Sequence, residues 1–212
     1  MTAIEYSGMN IHSEWLSRGR IMKISDKRDE IMKAALEIIA EHGFHGAPMA
    51  MIAEKAGVGA GTIYRYFENK DVLIVELYRE VERKLMVALQ EGYPAGKPFR
   101  ERFLHLSTAL LKYLITHPLY FRYIEQYHNS PYGVSLRRDR ILSKSDDQVI
   151  FRKLFEQGIA QQVLKDLPLF VHFALAFGPL ISLARDHILG LAILDDTLIR
   201  QTTEACWDGI KR

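Results

Sequence analysis

The stretch FHGAPMAMIAEKAGVGAGTIYRYFENK, residues 44–70, decides the fold of this 212-residue chain. It contains a short apolar segment, a turn that carries Gly57, Gly59 and Gly61, and a second short segment rich in aromatic residues. Asn69 then provides a good cap for a further helix. Two short helices joined by a glycine-containing turn are typical of a helix-turn-helix, whose second helix enters the major groove of DNA. The stretch therefore predicts a DNA-binding head.

The residues before the turn predict the other helices of this head. A first helix begins near Ser25 or Asp26, either of which can cap it, and it ends at Gly43. Its apolar face at helical spacing consists of Ile31, Ala34, Ala35, Ile38 and Ile39. Pro48 suits the first turn of the second helix, because no amide hydrogen is needed there. Gly57 closes that helix in a left-handed conformation.

The rest of the chain also reads as helices, and it contains neither a repeat nor a strand-like alternation. Asn69 caps a helix in which Leu73 and Leu77 begin an apolar repeat, and residues 91–98 break it. Further helices are expected over 99–116, 119–128, 146–157, 168–189 and 195–210, with the basic residues 137–140 in a connection. The prediction is all-α: a three-helix helix-turn-helix head followed by a larger helical domain. The expected parts are a flexible arm (1–24), the head (25–70) and the larger domain (71–212).

Composition narrows the classes of protein. The net charge is +2, and the head itself has six Lys/Arg against seven Asp/Glu, so any DNA contact depends on locally placed cations. Cys206 is the single cysteine, which excludes an intrachain disulfide and suits a reducing compartment, here the cytoplasm. Residues 1–20 lack a signal-peptide pattern. Residues 167–184 are nearly all apolar but are too short to span a membrane, so we expect a helix buried on both sides.

The sequence contains no arrangement typical of catalysis. His-Glu-x-x-His, Gly-x-Ser-x-Gly and a phosphate-binding glycine loop before a lysine are all missing, and the histidines are scattered. We therefore expect no catalytic residue, no metal site and no cofactor. An enzyme is not the favoured interpretation.

The head resembles the TetR family of bacterial transcriptional regulators. The residues that carry the resemblance lie within 26–70 and just beyond: Ile52, Ala53, Ala56, Gly57, Val58, Gly61, Thr62, Ile63, Tyr64, Tyr66, Phe67, Lys70 and Leu73. The resemblance implies a homodimer that binds a palindromic operator and releases it when a small molecule occupies the larger domain. Two departures remove expected phosphate contacts: Pro48-Met49 replaces a hydroxyl-bearing cap, and Gly59 replaces a serine.

Within this head, Ile63 and Phe67 lie four residues apart and form an inner stripe, so Tyr64 and Arg65 face outward. Tyr64 is expected to contact phosphate through its hydroxyl, and Arg65 is the best candidate for reading guanine, since its planar fork bonds O6 and N7 together. Arg65 pairing with Glu68 or with a phosphate is the alternative. The full predicted DNA-binding set is Lys55, Gly61, Thr62, Tyr64, Arg65, Tyr66 and Lys70.

Three further members of this set keep more than one interpretation. Thr62 contacts a thymine methyl or a phosphate, or it only supports its helix. Tyr66 contacts the DNA backbone or is partly buried. Lys70 brings its ammonium to a phosphate, or it is a solvated surface lysine. Five basic residues near the N-terminus form either an arm that reaches a minor groove or a solvated tail: Arg18, Arg20, Lys23, Lys27 and Arg28.

The larger domain is rich in aromatic residues, most of which must form its core. A subset is predicted to line an apolar ligand cavity with a few polar groups: His105, Tyr123, Tyr127, Phe155 and Phe173. Small residues four apart on one helix predict close helix contact. Together with two residues on the last helix, these small residues are expected to form a subunit interface of four helices: Ala174, Gly178, Ser182, Ala205 and Trp207.

These observations together predict a ligand-responsive, DNA-binding repressor. It releases double-stranded operator DNA when a small apolar or aromatic effector binds the C-terminal domain, and it involves no membrane. One alternative is a ligand-independent DNA-binding regulator whose aromatic residues are only core. A second alternative is a small-molecule carrier or enzyme with a vestigial head.

Overall fold

The computed structural model describes residues 11–142 and 149–212, with side chains over 27–139 and 150–212. These residues form ten α-helices and no strand beyond one isolated bridge between Leu164 and Lys211. The helices are α1 (Ile11–His42), α2 (Met49–Lys55), α3 (Ala60–Ile63), α4 (Lys70–Gln90), α5 (Phe99–Thr116), α6 (Pro118–His128), α7 (Pro131–Leu142), α8 (Val149–Ala160), α9 (Leu169–Ile188) and α10 (Asp196–Ile210). The predicted all-α class is confirmed.

The first helix begins earlier than predicted. It starts at Ile11 instead of Ser25 or Asp26, so residues 11–24 of the expected arm are helical. The physical reason is that this segment contains no proline, and an N-cap preference of about 1 kcal/mol does not stop a helix that can continue. Residues 1–10 of the expected arm lie outside the described residues.

Contacts divide the chain into two compact units between Leu77 and Tyr78, so α4 contributes residues to both. The expected boundary after residue 70 coincides with the start of α4. Asn69 caps this helix as predicted, since its Oδ1 accepts the Val72 amide at 2.9 Å.

The first unit contains α1, α2, α3 and the first turns of α4. Each residue of the predicted inner face of α1 is buried, which confirms that prediction. Ile52 of α2, Ile63 of α3 and Phe67 are completely buried in the same unit. Burial of apolar surface therefore holds the short helices α2 and α3, which are too short to be stable alone.

The second unit is built around α5, which contacts α6, α8, α9 and α10. Its core contains aromatic and aliphatic side chains from each of these helices, among them Phe103, Phe155, Phe177 and Trp207. α10 begins at a proper cap, because the Asp195 carboxylate accepts the Leu198 amide at 2.8 Å.

One helix, α7, lies where a connection was predicted. The run Asn129-Ser130-Pro131-Tyr132-Gly133 reads as a helix breaker, but Pro131 is the first residue of α7, where proline needs no amide hydrogen. Gly133 is required there for packing: a Cβ would lie 2.4 Å from the Tyr127 carbonyl oxygen. Residues 137–139 of the basic stretch are consequently on a helix.

The most apolar helix is α9, which is long and apolar enough to span a membrane by length and composition alone. Its Ala176, Phe177 and Leu180 are buried in the core of the second unit. Its opposite face is open, since Phe170 is 73% exposed and Leu175 41%. The prediction that this helix is buried on both sides is therefore wrong: it is a core helix with one exposed apolar face.

Candidate nucleic-acid interface

The turn between α2 and α3 has the geometry predicted from its glycines. Gly57 follows the C-terminal cap Ala56 and adopts φ +63°, a left-handed conformation that residues with a Cβ rarely adopt. Gly59 is the N-cap of α3 with extended backbone and offers no side-chain cap. Its carbonyl oxygen accepts the Thr62 amide at 2.7 Å. The turn thus starts α3 through the backbone alone.

α3 is four residues long but continues as a tight turn to Phe67. The amides of Arg65 and Phe67 donate to the carbonyl oxygens of Thr62 and Ile63, both at 3.0 Å. Ile63 and Phe67 are buried, whereas Tyr64 is 55% exposed and Arg65 is exposed. The predicted inward and outward orientations are therefore confirmed. Tyr66 and Thr62 are half-buried.

The surface beside Tyr64 is open at the backbone. Gly61 is exposed, and a Cβ placed on it would meet nothing within 4 Å. Neither its backbone conformation nor its own packing therefore requires glycine. Because no side chain covers the backbone at Gly61, the sugar-phosphate backbone of DNA can approach it closely beside Tyr64 and Arg65.

The two predicted lysines are engaged with the head itself. Lys70 Nζ donates to the Phe44 carbonyl oxygen, which joins the start of α4 to the segment between α1 and α2. Lys55 Nζ lies 3.2 Å from a Glu37 carboxylate oxygen on α1. Each ammonium carries three hydrogens, so Lys70 retains donors for a further acceptor.

Two cations of the expected arm have structural partners instead. Lys27 pairs with Glu30 at 2.8 Å, one turn further along α1. Arg28 donates to the Glu76 carboxylate of α4 at 2.5 Å, and its guanidinium carbon lies 5.4 Å from the centroid of the Phe67 ring. Arg28 is therefore part of the head's framework, which sequence spacing alone does not reveal, whereas Lys27 makes an exposed pair within its own helix. The side chains of Arg18, Arg20 and Lys23 lie outside the described ones.

The five predicted ligand-binding residues lie on four helices of the second unit. Phe155 of α8 and Phe173 of α9 are in contact, with ring centroids 5.2 Å apart. Tyr123 and Tyr127 of α6 are buried, and Tyr127 stacks on Tyr78 of α4 at 3.9 Å. Burial raises the pKa of Tyr123 above its ordinary value. His105 of α5 instead contacts Tyr93, and their ring centroids lie 5.9 Å apart.

The predicted subunit-interface residues divide into two groups. Ala174, Gly178 and Ser182 of α9 are exposed, and so is Ala205 of α10. Trp207 is only 7% exposed, and its ring lies 5.7 Å from Phe99 and 5.8 Å from Phe103. The assignment of Trp207 to the interface is wrong, because its large apolar ring is buried in the core of its own subunit.

Both units of this chain are similar to domains of known proteins. Residues 31–77 match the family model for bacterial regulatory proteins of the tetR family, and residues 98–211 match the tetracyclin repressor-like C-terminal domain. A helix-turn-helix-type transcriptional regulator of Haemophilus influenzae is 24% identical over 188 residues, 89% of this chain and 97% of the relative.

Solved structures agree with these matches. A transcriptional regulator of the TetR family from Vibrio parahaemolyticus is 32% identical with a TM-score of 0.71, over 88% of this chain and 99% of its own. FadR of Bacillus subtilis, solved in complex with stearoyl-CoA, has a TM-score of 0.67 at 20% identity, over 84% of this chain and 95% of its own. At that identity the likeness concerns the fold alone.

Proposed function

The chain belongs to the TetR family of bacterial regulatory proteins, and on that premise we propose that it is a ligand-responsive repressor acting as a homodimer. Its relatives are transcriptional regulators, so the chain is a DNA-binding transcriptional regulator and not an enzyme. The proposal adds a palindromic operator, an apolar or aromatic effector in the second unit, and a cytoplasmic location without membrane attachment.

The observation that carries the DNA part is the exposure of Tyr64 and Arg65 beside the open backbone of Gly61. A tyrosine hydroxyl and backbone amides bond phosphate oxygens, which positions the protein. The planar guanidinium of Arg65 can bond guanine O6 and N7 together, which reads sequence. Four further residues are proposed to contribute to DNA binding beside Tyr64 and Arg65: Thr62, Tyr66, Lys70 and Lys55. Lys70 would use the ammonium hydrogens that its bond to the Phe44 carbonyl oxygen leaves available.

Exposed apolar surface supports the homodimer. Six large apolar side chains are exposed between α9 and the first turn of α10: Phe170, Leu175, Leu189, Leu191, Ile193 and Leu198. Exposed large apolar side chains concentrated in one part of a chain are typical of a protein–protein interface. Gly178 lies on the exposed face of α9, and a Cβ on it would meet nothing within 4 Å. A second α9 can therefore approach closely at Gly178.

The proposed mechanism depends on the spacing of two heads. Paired recognition segments must lie one turn of DNA apart, ~34–36 Å, to enter successive major grooves. α4 runs without interruption from Lys70 in the first unit to Gln90 in the second. An effector that changes how the later turns of α4 pack would tilt its first turn and change that spacing. The effector must bind the released form more tightly, because only differential affinity shifts the equilibrium.

The FadR structure supports the effector part in one respect: the same fold holds stearoyl-CoA in that protein. A ligand-independent regulator is the second candidate. The contact of Phe151 with Phe177 at 4.8 Å favours it, because such rings also form an ordinary core.

Binding of the protein to DNA from upstream of its own gene tests the proposal. Fluorescence anisotropy should show binding that weakens roughly 100-fold between ~50 and ~200 mM salt, as expected if a dimer neutralises ~4 phosphates. Arg65→Ala should lower the preference for this DNA over random DNA. Arg200→Ala removes the same charge from α10 and should leave that preference unchanged. Salt-independent binding, or none, would contradict the proposed phosphate contacts of Tyr64 and Lys70.

A further inference from the structure

His172 of α9 is completely buried, and only one of its two ring nitrogens has a partner among the described residues. Nε2 lies 3.0 Å from the Lys165 carbonyl oxygen. A carbonyl oxygen only accepts hydrogen bonds, so Nε2 carries the hydrogen and donates it. In the neutral ring, Nδ1 is then a bare acceptor. A buried polar atom without a partner is uncommon in native proteins and is costly unless something satisfies it.

The surroundings of His172 are aromatic. The ring of Phe155 on α8 lies 5.7 Å from the His172 ring and 5.2 Å from Phe173. Phe177 lies 5.9 Å from Phe155, and Phe151 lies 4.8 Å from Phe177. Of these four phenylalanines Phe173 is the most exposed, being half-buried, and the other three are buried.

A second polar group of this core also lacks a partner among the described side chains. Ser107 of α5 is completely buried, and its hydroxyl is unbonded. It lies one helical turn after Phe103, whose ring is 6.3 Å from Phe155. By contrast, Thr203 in the same unit is buried but satisfied, since its hydroxyl donates to the Arg200 carbonyl oxygen. Ser107 and His172 are therefore the two completely buried side chains of the described residues that hold a polar atom without a partner.

We propose that the second unit binds a small aromatic molecule carrying an O–H or N–H donor, whose ring packs against Phe155 and Phe173 and whose donor bonds His172 Nδ1. This rests on the proposed function, because it names the chemical class of the effector. Aromatic rings favour offset or edge-to-face neighbours, which selects an aromatic body. The bare nitrogen selects a donor, because an acceptor-only ligand would leave it unpaired.

Phenol, anisole and toluene test this selection on the full-length dimer without DNA, by isothermal titration calorimetry at neutral pH. The three share one ring and differ in a donor, an acceptor-only oxygen, and no polar atom. Phenol should bind about fivefold to tenfold more tightly than anisole, as one hydrogen bond predicts. Anisole and toluene should bind alike.

Two variants assign the effect to His172. His172→Phe keeps a ring and removes the acceptor, so phenol and anisole should then bind equally. Thr203→Val is the matched control: it removes a satisfied hydroxyl from the same unit and should leave the phenol preference intact. Circular dichroism reports whether each variant is folded. If His172→Phe does not fold, the comparison of phenol, anisole and toluene on the wild type still tests the proposal.

Equal affinity of the wild type for phenol and anisole, no binding of phenol, or a preference that survives in folded His172→Phe would each overturn the proposal. A water molecule bonded to Nδ1 would account for such a result. DNA binding is measured separately, so the regulator function can hold while this effector class fails.

Discussion

Arg28 and Glu76 join the first and fourth helices of the head through a hydrogen bond of 2.5 Å between guanidinium and carboxylate. The same guanidinium lies over the ring of Phe67, the residue that ends the turn after α3. One side chain of α1 thus contacts both the turn that follows Tyr64 and Arg65 and the helix α4 after that turn. The orientation of the recognition segment depends on this contact and on the buried side chains beneath it.

Removal of Arg28 should destabilise the head. Arg28→Ala should lower the free energy of unfolding by about 1–2 kcal/mol, because it loses the ion pair and the contact with Phe67. A double-mutant cycle with Glu76→Ala, followed by urea denaturation, should give a coupling of about 0.5–1 kcal/mol. Lys27→Ala, whose partner Glu30 is exposed on the same helix, should change stability by less than about 0.5 kcal/mol. Additive effects of Arg28→Ala and Glu76→Ala would show that the pair contributes nothing.

Substitutions of the two outward side chains, Tyr64 and Arg65, should affect DNA affinity and base preference differently. Tyr64→Phe removes one phosphate-bonding hydroxyl and should weaken binding to specific and random DNA alike. Arg65→Ala should cost about 1–3 kcal/mol on the specific site and relax the preference at one base pair. Competition binding with operator variants measures both. Loss of affinity without any change in base preference would make Arg65 a phosphate contact.

Gly57 in the turn and Gly61 in α3 should respond oppositely to substitution by alanine. Gly61→Ala meets no neighbour and removes a flexible residue from α3, so thermal unfolding should show up to about 1 kcal/mol of added stability. Its new methyl group should nevertheless weaken DNA binding, if the backbone approaches a phosphate as proposed. Gly57→Ala should be destabilising by about 1 kcal/mol, since φ is +63°. Full DNA affinity in Gly61→Ala would exclude a close approach at this position.

Substitution of Gly178 should report on the subunit interface. In an isolated subunit Gly178→Ala stabilises α9 by about 0.5–1 kcal/mol, because the site is open and helical. In the proposed dimer Gly178→Leu should raise the dissociation constant by at least about tenfold, which analytical ultracentrifugation measures. Gly96→Leu, at an open glycine in the connection between α4 and α5, is the matched control. A monomeric wild type, or a dimer indifferent to Gly178→Leu and Phe170→Asp, would contradict this interface.

The buried phenol of Tyr113 should make stability fall at alkaline pH. Burial raises the pKa of Tyr113 from its ordinary value of 10.0 to about 12. A folded pKa above the unfolded one means that this contribution is complete below pH 10 and is lost as pH rises towards 12. Urea denaturation across this range should show a shallower loss for Tyr113→Phe than for the wild type. Identical slopes would mean that Tyr113 titrates normally.

Several features of the head were predictable because they depend on local chemistry. The inward stripe of Ile63 and Phe67 follows from a spacing of four residues, and the cap at Asn69 follows from its side-chain oxygen. α7 was missed because Pro131 and Gly133 break helices in most contexts. Here one is the first helical residue, and the other permits contact with the Tyr127 carbonyl.

The sequence by itself determined the all-α class, the helix-turn-helix and the outward direction of Tyr64 and Arg65, because each depends on periodicity and backbone preference within a few residues. Only the tertiary structure decided that Trp207 is core, that Arg28 is part of the framework, and that the buried His172 Nδ1 has no partner among the described residues. Those facts depend on partners far away in the chain. A single helix face looks the same in sequence whether its own subunit, another subunit or a ligand covers it.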